Sequence, residues 1–436
     1  MNRLFLTVAL ATLFCFWAPG TTPQAKSPDS DNTVMLDQLE LFAEVFATVR
    51  EEYVEDVEDS DLIAGALNGA LQSLDPHSSY VPPTKFEEQQ KSARREYGGL
   101  GIEVLQENGL VKVNYALEDA PAYQAGIRSG DYITAVEGVK TYGKTLDEAI
   151  KGMRGLAGDP VTVTVLTPQN ITKDIVVIRQ VVRGRAVRHR IEKGMGYVFI
   201  ETFNNEKLAK DLERALGDIK RQLKTNKIPG IIIDLRGNRG GLLDQSVDVS
   251  SLFLDGGEVL SSRGRTNEDT ERYHAEAGQY DENMRIVVLI DSGSASAAEI
   301  VAGALQDRGR AIVMGRRSFG KGSVQSVIPL RGEGALRMTT QRYYTPSGKS
   351  IQGRGIMPDI LVALRPDEGT IRKRFREANL KNSLLNDDLS EFEEDHDSID
   401  YPADDWPETE DYQLSQALDL IRSSRYDEFM KRFNLN

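Results

Sequence analysis

Two apolar runs, at 230–235 and 285–290, each end in a polar, glycine-containing turn that leads into a helical pattern. A run that is apolar at nearly every position, rather than at alternate ones, reads as a buried strand. Around these two, segments 197–200, 311–314 and 323–330 read as further strands. Segments 207–223, 242–253 and 297–305 carry apolar residues at helical spacing. This mixture makes the half of the chain after Tyr197 an α/β unit.

At 436 residues the chain is too long for one ordinary domain, and two or three are expected. Apolar positions at helical spacing predict helices at 34–53 and 62–74, with the acidic stretch 55–61 suiting a helix N-terminus. Asp75-Pro76-His77-Ser78-Ser79 then breaks the pattern. Residues 97–183 form a different unit. Gly98-Gly99-Leu100-Gly101 leads into an alternating strand from Ile102, and a second strand covers 111–113. After a helix stop near Gly126 come a strand near Ile133, a helix at 145–153, and strands at 161–166 and 174–179. This order, with Gly99-Leu100-Gly101-Ile102 in the first loop, resembles a PDZ domain.

The N-terminus reads as an export signal at 1–25: Arg3 supplies positive charge, an apolar run covers 4–18, and Ala25 offers a cleavage position. The run is short for a membrane span, an uncleaved anchor being the alternative. Cys15, the only cysteine, lies inside it. Bulky Phe14 before Cys15 argues against lipidation. A mature chain from Lys26 then has no thiol for disulfides, catalysis or metal, which fits the periplasm of a Gram-negative bacterium. The formal charge is −14, yet 387–411 alone holds thirteen acids and no Lys or Arg, so the remainder is nearly neutral. That segment reads as a solvated linker. It follows a basic run (Arg372, Lys373, Arg374, Arg376) and precedes an amphipathic helix at 412–433. With no basic stripe, nucleic-acid binding has no support. The four histidines (His77, His189, His274, His396) form no HExxH or HxH pair, so no metal site is expected.

Asp291-Ser292-Gly293-Ser294-Ala295-Ser296-Ala297-Ala298-Glu299-Ile300 places a hydroxyl and free N–H groups at a helix start, where both stabilise a developing oxyanion. On this segment alone Ser296 as a helix cap is the simpler reading. The flanking residues are not those of a G-x-S-x-G elbow. Ser318-Phe319-Gly320-Lys321-Gly322-Ser323-Val324-Gln325 sets one lysine between glycines at the mouth of an apolar strand. Lysine acts as a base near neutrality only where desolvation lowers its pKa from about 10.4; the alternative is a solvated loop lysine. A phosphate loop fails because Gly322 stands where Ser or Thr is required.

Together these two segments, 25 residues apart from Ser296 to Lys321, resemble the carboxyl-terminal processing (tail-specific) protease family. Three further stretches carry the resemblance: Ile233-Asp234-Leu235-Arg236-Gly237-Asn238-Arg239-Gly240-Gly241-Leu242-Leu243, Tyr343-Tyr344-Thr345-Pro346-Ser347-Gly348-Lys349-Ser350-Ile351-Gln352-Gly353, and Asp75-Pro76-His77-Ser78-Ser79-Tyr80. It spans about 35–363, with Arg239 in a slot the family usually fills with Pro and Ala298 in one usually filled with Ser. The resemblance implies a multidomain α/β fold: an N-terminal helical region (33–96), an inserted PDZ domain (97–183), a crotonase-like ββα-spiral protease core (184–364), and a C-terminal charged segment and helix (365–436). It implies a serine endopeptidase cleaving exported proteins at or near their C-termini. Ser296 is then the nucleophile, Lys321 the base, and Gln325 its orienting partner through a bend at Gly322. The oxyanion hole falls to the N–H groups of Gly241 and Ala297, with Gly240 next. Gly99, Leu100, Gly101 and Ile102 would take a substrate's terminal carboxylate. Arg154 is a weaker candidate for linking the PDZ unit to the protease body. Partners implied are substrates with free C-termini, an adaptor protein, and further copies of the chain through the terminal helices; no cofactor is implied. The rival is a non-catalytic scaffold or adaptor that binds C-termini, against which the presence of Ser296, Lys321 and Gln325 all together argues.

Overall fold

The computed structural model describes residues 28–87, 97–107, 109–117, 120–181, 186–224, 228–278, 280–332, 334–363, 376–386, 399–403, 405–407 and 409–433. The expected export signal, the basic residues Arg372 to Arg374 and positions 387–398 of the acidic stretch lie outside them. Two compact units divide after Ala66. The first holds helix α1 (Pro28–Glu52) and the start of α2 (Asp59–Gln72). On α1, Met35, Leu36, Leu39, Leu41, Phe42 and Val45 are half exposed or more. Among the described residues no helix is long and apolar enough to cross a membrane.

The second unit begins with the end of α2 and β1 (Ser79–Val81). Short strand β2 (Tyr97–Gly99) opens the PDZ-like part. There follow β3 (Ile102–Glu107), β4 (Leu110–Ala116), α3 (Pro121–Gln124), β5 (Tyr132–Val136), β6 (Val139–Lys140) and α4 (Leu146–Met153). β7 (Gly155–Leu156), β8 (Pro160–Leu166), β9 (Thr172–Ile178) and β10 (Gln180–Val181) complete it. β3-β4-β5-β8-β9 form one antiparallel sheet, with β6 on β5. Alternate side chains Val161, Val163 and Val165 point into a core closed by Ile127, Ile133 and Met153, as the two-residue period of a strand requires. Helix α4 starts at Thr145 with a reciprocal capping box to Glu148. Entry strand β2 pairs with both β7 and exit strand β10, which pins the two ends of the insertion together.

The α/β half contains β11 (Val187–Glu192), β12 (Met195–Ile200), α5 (Leu208–Leu223), β13 (Gly230–Asp234), α6 (Leu243–Ser251), β14 (Glu258–Arg263) and β15 (Thr270–His274). After these come β16 (Arg285–Ile290), α7 (Ala297–Asp307), β17 (Ile312–Gly315), β18 (Ser323–Pro329), β19 (Ala335–Tyr344), β20 (Ile360–Leu361), α8 (Tyr412–Arg422) and α9 (Arg425–Phe433). One sheet runs β11-β12-β13-β16-β17-β20, parallel except for β11. It is buried on both faces, hence the apolar runs. Ile231, Ile233, Ile286, Val288 and Ile290 face α5 and α7; Ile232, Val287, Leu289, Ile312 and Met314 face the C-terminal helices. Each fully buried Ile or Leu contributes about 1.5–3 kcal/mol relative to exposure. A second, antiparallel sheet has the order β1-β19-β14-β15, with β18 also on β19.

Two expectations are corrected here. The C-terminal helix is two successive helices, broken at Ser423, whose hydroxyl and N–H both turn back to the Leu420 carbonyl. The acidic stretch is not a solvated linker throughout. Asp400 bridges in register to Val362 and accepts the Tyr412 hydroxyl. Asp411 caps α8 through the Leu414 N–H (3.0 Å) and makes a two-pronged ion pair with Arg236 (2.9 and 2.6 Å). Burial alone would raise the Asp411 carboxyl; its bonds to Arg236 hold it below its ordinary value. Asp411→Ala therefore removes a cap and the partly exposed carboxylate partner of the mostly buried Arg236 guanidinium. It should cost about 1–2 kcal/mol, part of the charge loss being offset by Asp234, and appear as a lower thermal midpoint with early proteolytic release of α8 and α9.

Candidate active site

Three loops bound a cleft of about 700 Å³, and each leaves the carboxyl end of a parallel strand, where open α/β sheets place ligands. They are 235–242 after β13, 291–296 after β16 and 316–322 after β17. Ser296, Lys321, Gln325, Gly240, Gly241 and Arg239 all line this cleft. The first two loops are stitched together by Asp291, whose Oδ1 accepts the N–H groups of Gly237 (2.8 Å) and Gly293 (2.9 Å). The Ala295 N–H adds a bond to the Asn238 carbonyl (2.9 Å).

Ser296 sits at φ +55°, ψ −117°, a region that non-glycine residues occupy only where the surroundings impose it. Its N–H donates to Glu299 Oε2 (2.7 Å), and its carbonyl accepts the Ile300 N–H. Gly240 lies so close that a Cβ there would stand 2.8 Å from the Ser296 Cβ. The Gly240 N–H is already given to Asn238 Oδ1 (2.8 Å), so Gly240 is corrected from oxyanion donor to a point of close backbone approach. Its carbonyl turns away to accept the Phe203 N–H, which aims the N–H of the same peptide, that of Gly241, the opposite way. Neither that group nor the Ala297 N–H has an acceptor among the described residues.

Glu299 ties the serine to the lysine. Besides Ser296 it accepts the N–H groups of Gly320 (2.6 Å) and Lys321 (2.9 Å) and the Ser318 hydroxyl. Complete burial pushes its carboxyl up to about 7 against those four donors. The Lys321 ammonium nitrogen makes no hydrogen bond or ion pair among the described residues. Burial lowers its pKa, opposed by Glu377 and assisted by Arg337. Gln325 does not reach Lys321: its amide donates to Ser323 Oγ (3.0 Å) and Thr339 Oγ1 (3.3 Å). The strand is displaced by a bulge between Val324 and Gln325 rather than by a bend at Gly322.

A second groove, about 750 Å³, runs between β3 and α4. Gly99, Leu100, Gly101 and Ile102 line one end, with Ile150, Met153 and Arg154 along it. Leu100 is buried in the PDZ-like core, so only its backbone can meet a ligand. The carbonyls of Leu100 and Gly101 are turned inward to the N–H groups of Ala122 and Leu117. Glu201 lines both this groove and the cleft of Ser296, so the two adjoin. Among the described residues no cluster suited to a metal occurs.

Sequence reading missed Asp291, Glu299 and Glu377 as site residues. Glu299 had a signal, the S-x-x-E box from Ser296 to Glu299. Asp291 had only its local turn to Gly293, which does not announce the bond to Gly237, and Glu377 had none, its side-chain partners lying far along the chain.

Residues 194–362 match peptidase family S41, 112–167 a PDZ domain, and 18–83 the activating protease CtpB N-terminal domain. With the cleft just described, they make this chain a serine-type peptidase carrying a PDZ domain. It is 48% identical over 327 residues to the carboxy-terminal-processing protease of Bartonella bacilliformis, across 74% of this chain and 75% of that protein. The chain belongs to peptidase family S41, among the carboxy-terminal-processing proteases. It is also 31% identical over 321 residues to a probable CtpA-like serine protease of Staphylococcus aureus (strain COL), covering 73% of this chain and 63% of that protein. A solved photosystem II D1 C-terminal processing protease aligns at 26% identity and TM-score 0.45, over 78% of this chain and 97% of that one.

Proposed function

We propose that the protein is an exported endopeptidase that cleaves proteins at or near their C-termini with a Ser296–Lys321 dyad. The observation that carries this reading is the single cleft in which Ser296, a desolvated Lys321 and the free N–H group of Gly241 meet. Neutral Lys321 takes the Ser296 proton as Oγ attacks the scissile carbonyl carbon. The oxyanion is held by the N–H groups of Gly241 and Ala297. Collapse breaks the C–N bond, and the Lys321 ammonium returns its proton to the leaving amine. Water, deprotonated by Lys321, then hydrolyses the acyl-serine. Gln325, held by Ser323 and Thr339 in the same cleft as Lys321, is the candidate to orient the lysine in the complex with substrate. The β12-β13-β16-β17 sheet with its helices supports a crotonase-like reading of the core, and the segment 1–25 supports export to the periplasm. The exposed apolar side chains of α1 support assembly through that helix.

The PDZ groove receives the substrate's terminal carboxylate on the N–H groups of Leu100, Gly101 and Ile102, and passes the chain by Glu201 to Ser296. One unfolded protein, offered with a free or an amidated C-terminus, tests both parts. The free form is cleaved, the amidated form at least about fivefold less efficiently through KM, given that charge-assisted hydrogen bonds are worth about 1.5–3 kcal/mol. Ser296→Ala cleaves neither. Activity in Ser296→Ala defeats the mechanism, and equal rates on the two substrates defeat the recognition.

A further inference from the structure

The segment Asp75-Pro76-His77-Ser78-Ser79 has no part in the chemistry above, yet it makes two separate sets of contacts, one ending at Gln325 and the other at the turn that carries Lys321. In the first, the Asp75 carboxylate gathers the N–H groups of His77 (2.8 Å) and Ser78 (2.9 Å) and the Ser78 hydroxyl (2.6 Å). The Ser78 oxygen accepts the Thr339 N–H (3.2 Å), and Thr339 Oγ1 accepts from Gln325 Nε2 (3.3 Å). In the second, His77 Nε2 meets both oxygens of Glu377, at 2.8 and 2.9 Å. Facing a carboxylate, that nitrogen must carry the proton. Glu377 is fully buried, accepts Gln352 Nε2 (3.1 Å) and gives its own N–H to the Phe319 carbonyl (3.1 Å). Gln352 Oε1 in turn accepts the N–H of Gly322, the residue after Lys321 (3.1 Å).

A buried carboxylate is costly to keep where an apolar side chain would fill the same space, so its presence calls for a use. We propose that residues 75–79 are a positioning brace: through Ser78 and Thr339 they fix Gln325, and through His77, Glu377 and Gln352 they fix the 319–322 turn that carries Lys321. The proposal rests on the dyad reading. It assigns no bond-making to His77 or Glu377; both act through Lys321.

The charged groups that bear on Lys321 are Glu377, Glu299 and Arg337, and Arg337 lies opposite Ser79 in the β1–β19 register. Glu377 favours the ammonium and Arg337 disfavours it. The test is the pH profile of kcat for full-length wild type, Glu377→Gln, Arg337→Gln and Lys321→Ala on one quenched peptide substrate, per folded molecule. The acid limb should move down by on the order of one pH unit in Glu377→Gln and up in Arg337→Gln. In Glu377→Gln, KM should stay within about twofold while kcat at the plateau falls about tenfold, the range of lost positioning. A purely structural role lowers the thermal midpoint and leaves both limbs in place, which overturns the brace. If Glu377→Gln does not fold, His77→Ala at its partly exposed site gives the reading instead. Its kcat should fall by about fivefold or more with KM unmoved, and an unchanged kcat overturns the proposal. Activity in Lys321→Ala overturns the dyad itself, whereas inactive Lys321→Ala with unmoved limbs in the other variants overturns only the brace.

Discussion

Lys321→Ala should lose about 10²–10⁴-fold in kcat, the range a positioned general base supplies, while the folded state is essentially unchanged. The two halves of this expectation have separate causes. The Lys321 amine makes no hydrogen bond or ion pair among the described residues, so its removal breaks no polar contact, and a desolvated cation is relieved rather than orphaned. Its backbone stays fixed, because the N–H bond to Glu299 and the flanking glycines do not depend on the side chain. Lys321→Arg should be as inactive, since a guanidinium stays protonated across the working range. The sign of the pH dependence follows from the same burial. A pKa lowered from the ordinary lysine value puts more of the amine in its neutral form as pH rises, so activity climbs with pH through that pKa. Steady loss of rate from about pH 6 to 9 in folded protein contradicts the assignment.

Gly241→Ala should cost about 10²–10³-fold in kcat with little change in KM, the effect of losing one oxyanion donor. Gly241 has φ +152°, and a Cβ there would stand 2.3 Å from the Phe203 carbonyl carbon and 2.4 Å from the Asn204 nitrogen. Both neighbours are backbone and cannot step aside, so the 240–241 peptide must rotate and carry its N–H out of the cleft. Gly237→Ala is the matched control. It too has positive φ, +70°, but nothing lies within 4 Å of the added Cβ. It should show backbone strain of about 1 kcal/mol in stability and a small change in kcat. Equal kcat losses in the two variants would count against Gly241 as a donor.

The α/β half was legible because strands buried on both faces spell themselves as apolar runs: 230–235 and 285–290 correspond to β13 and β16. Strands β14, β15 and β19 escaped notice because their patterns, EVLSSR, TERYH and ALRMTTQRYY, mix polar and apolar residues, on partly solvated faces in β15 and β19 and through buried serines in β14. The site's residue types could be read from motifs, but the direction of each peptide could not. Whether Gly240 or Gly241 offers its N–H depends on Asn238 and Phe203, and on nothing in the glycines themselves. Gln325 needed the position of a bulge that no residue type announces. Charge composition misled at Asp411, where one carboxylate of an acidic run is held against Arg236, 175 positions away. The His77–Glu377 pair, 300 positions apart, has no local signature at all.

The proposed chemistry requires Ser296 to attack and Lys321 to activate it. Covalent labelling with a fluorophosphonate, followed by intact mass and peptide mapping, tests this without reference to any natural substrate. The wild type should take up one adduct, on Ser296, at a rate that rises with pH. Lys321→Ala should label at least about 100-fold more slowly. An adduct on another residue, or labelling of Lys321→Ala at the wild-type rate, contradicts the account.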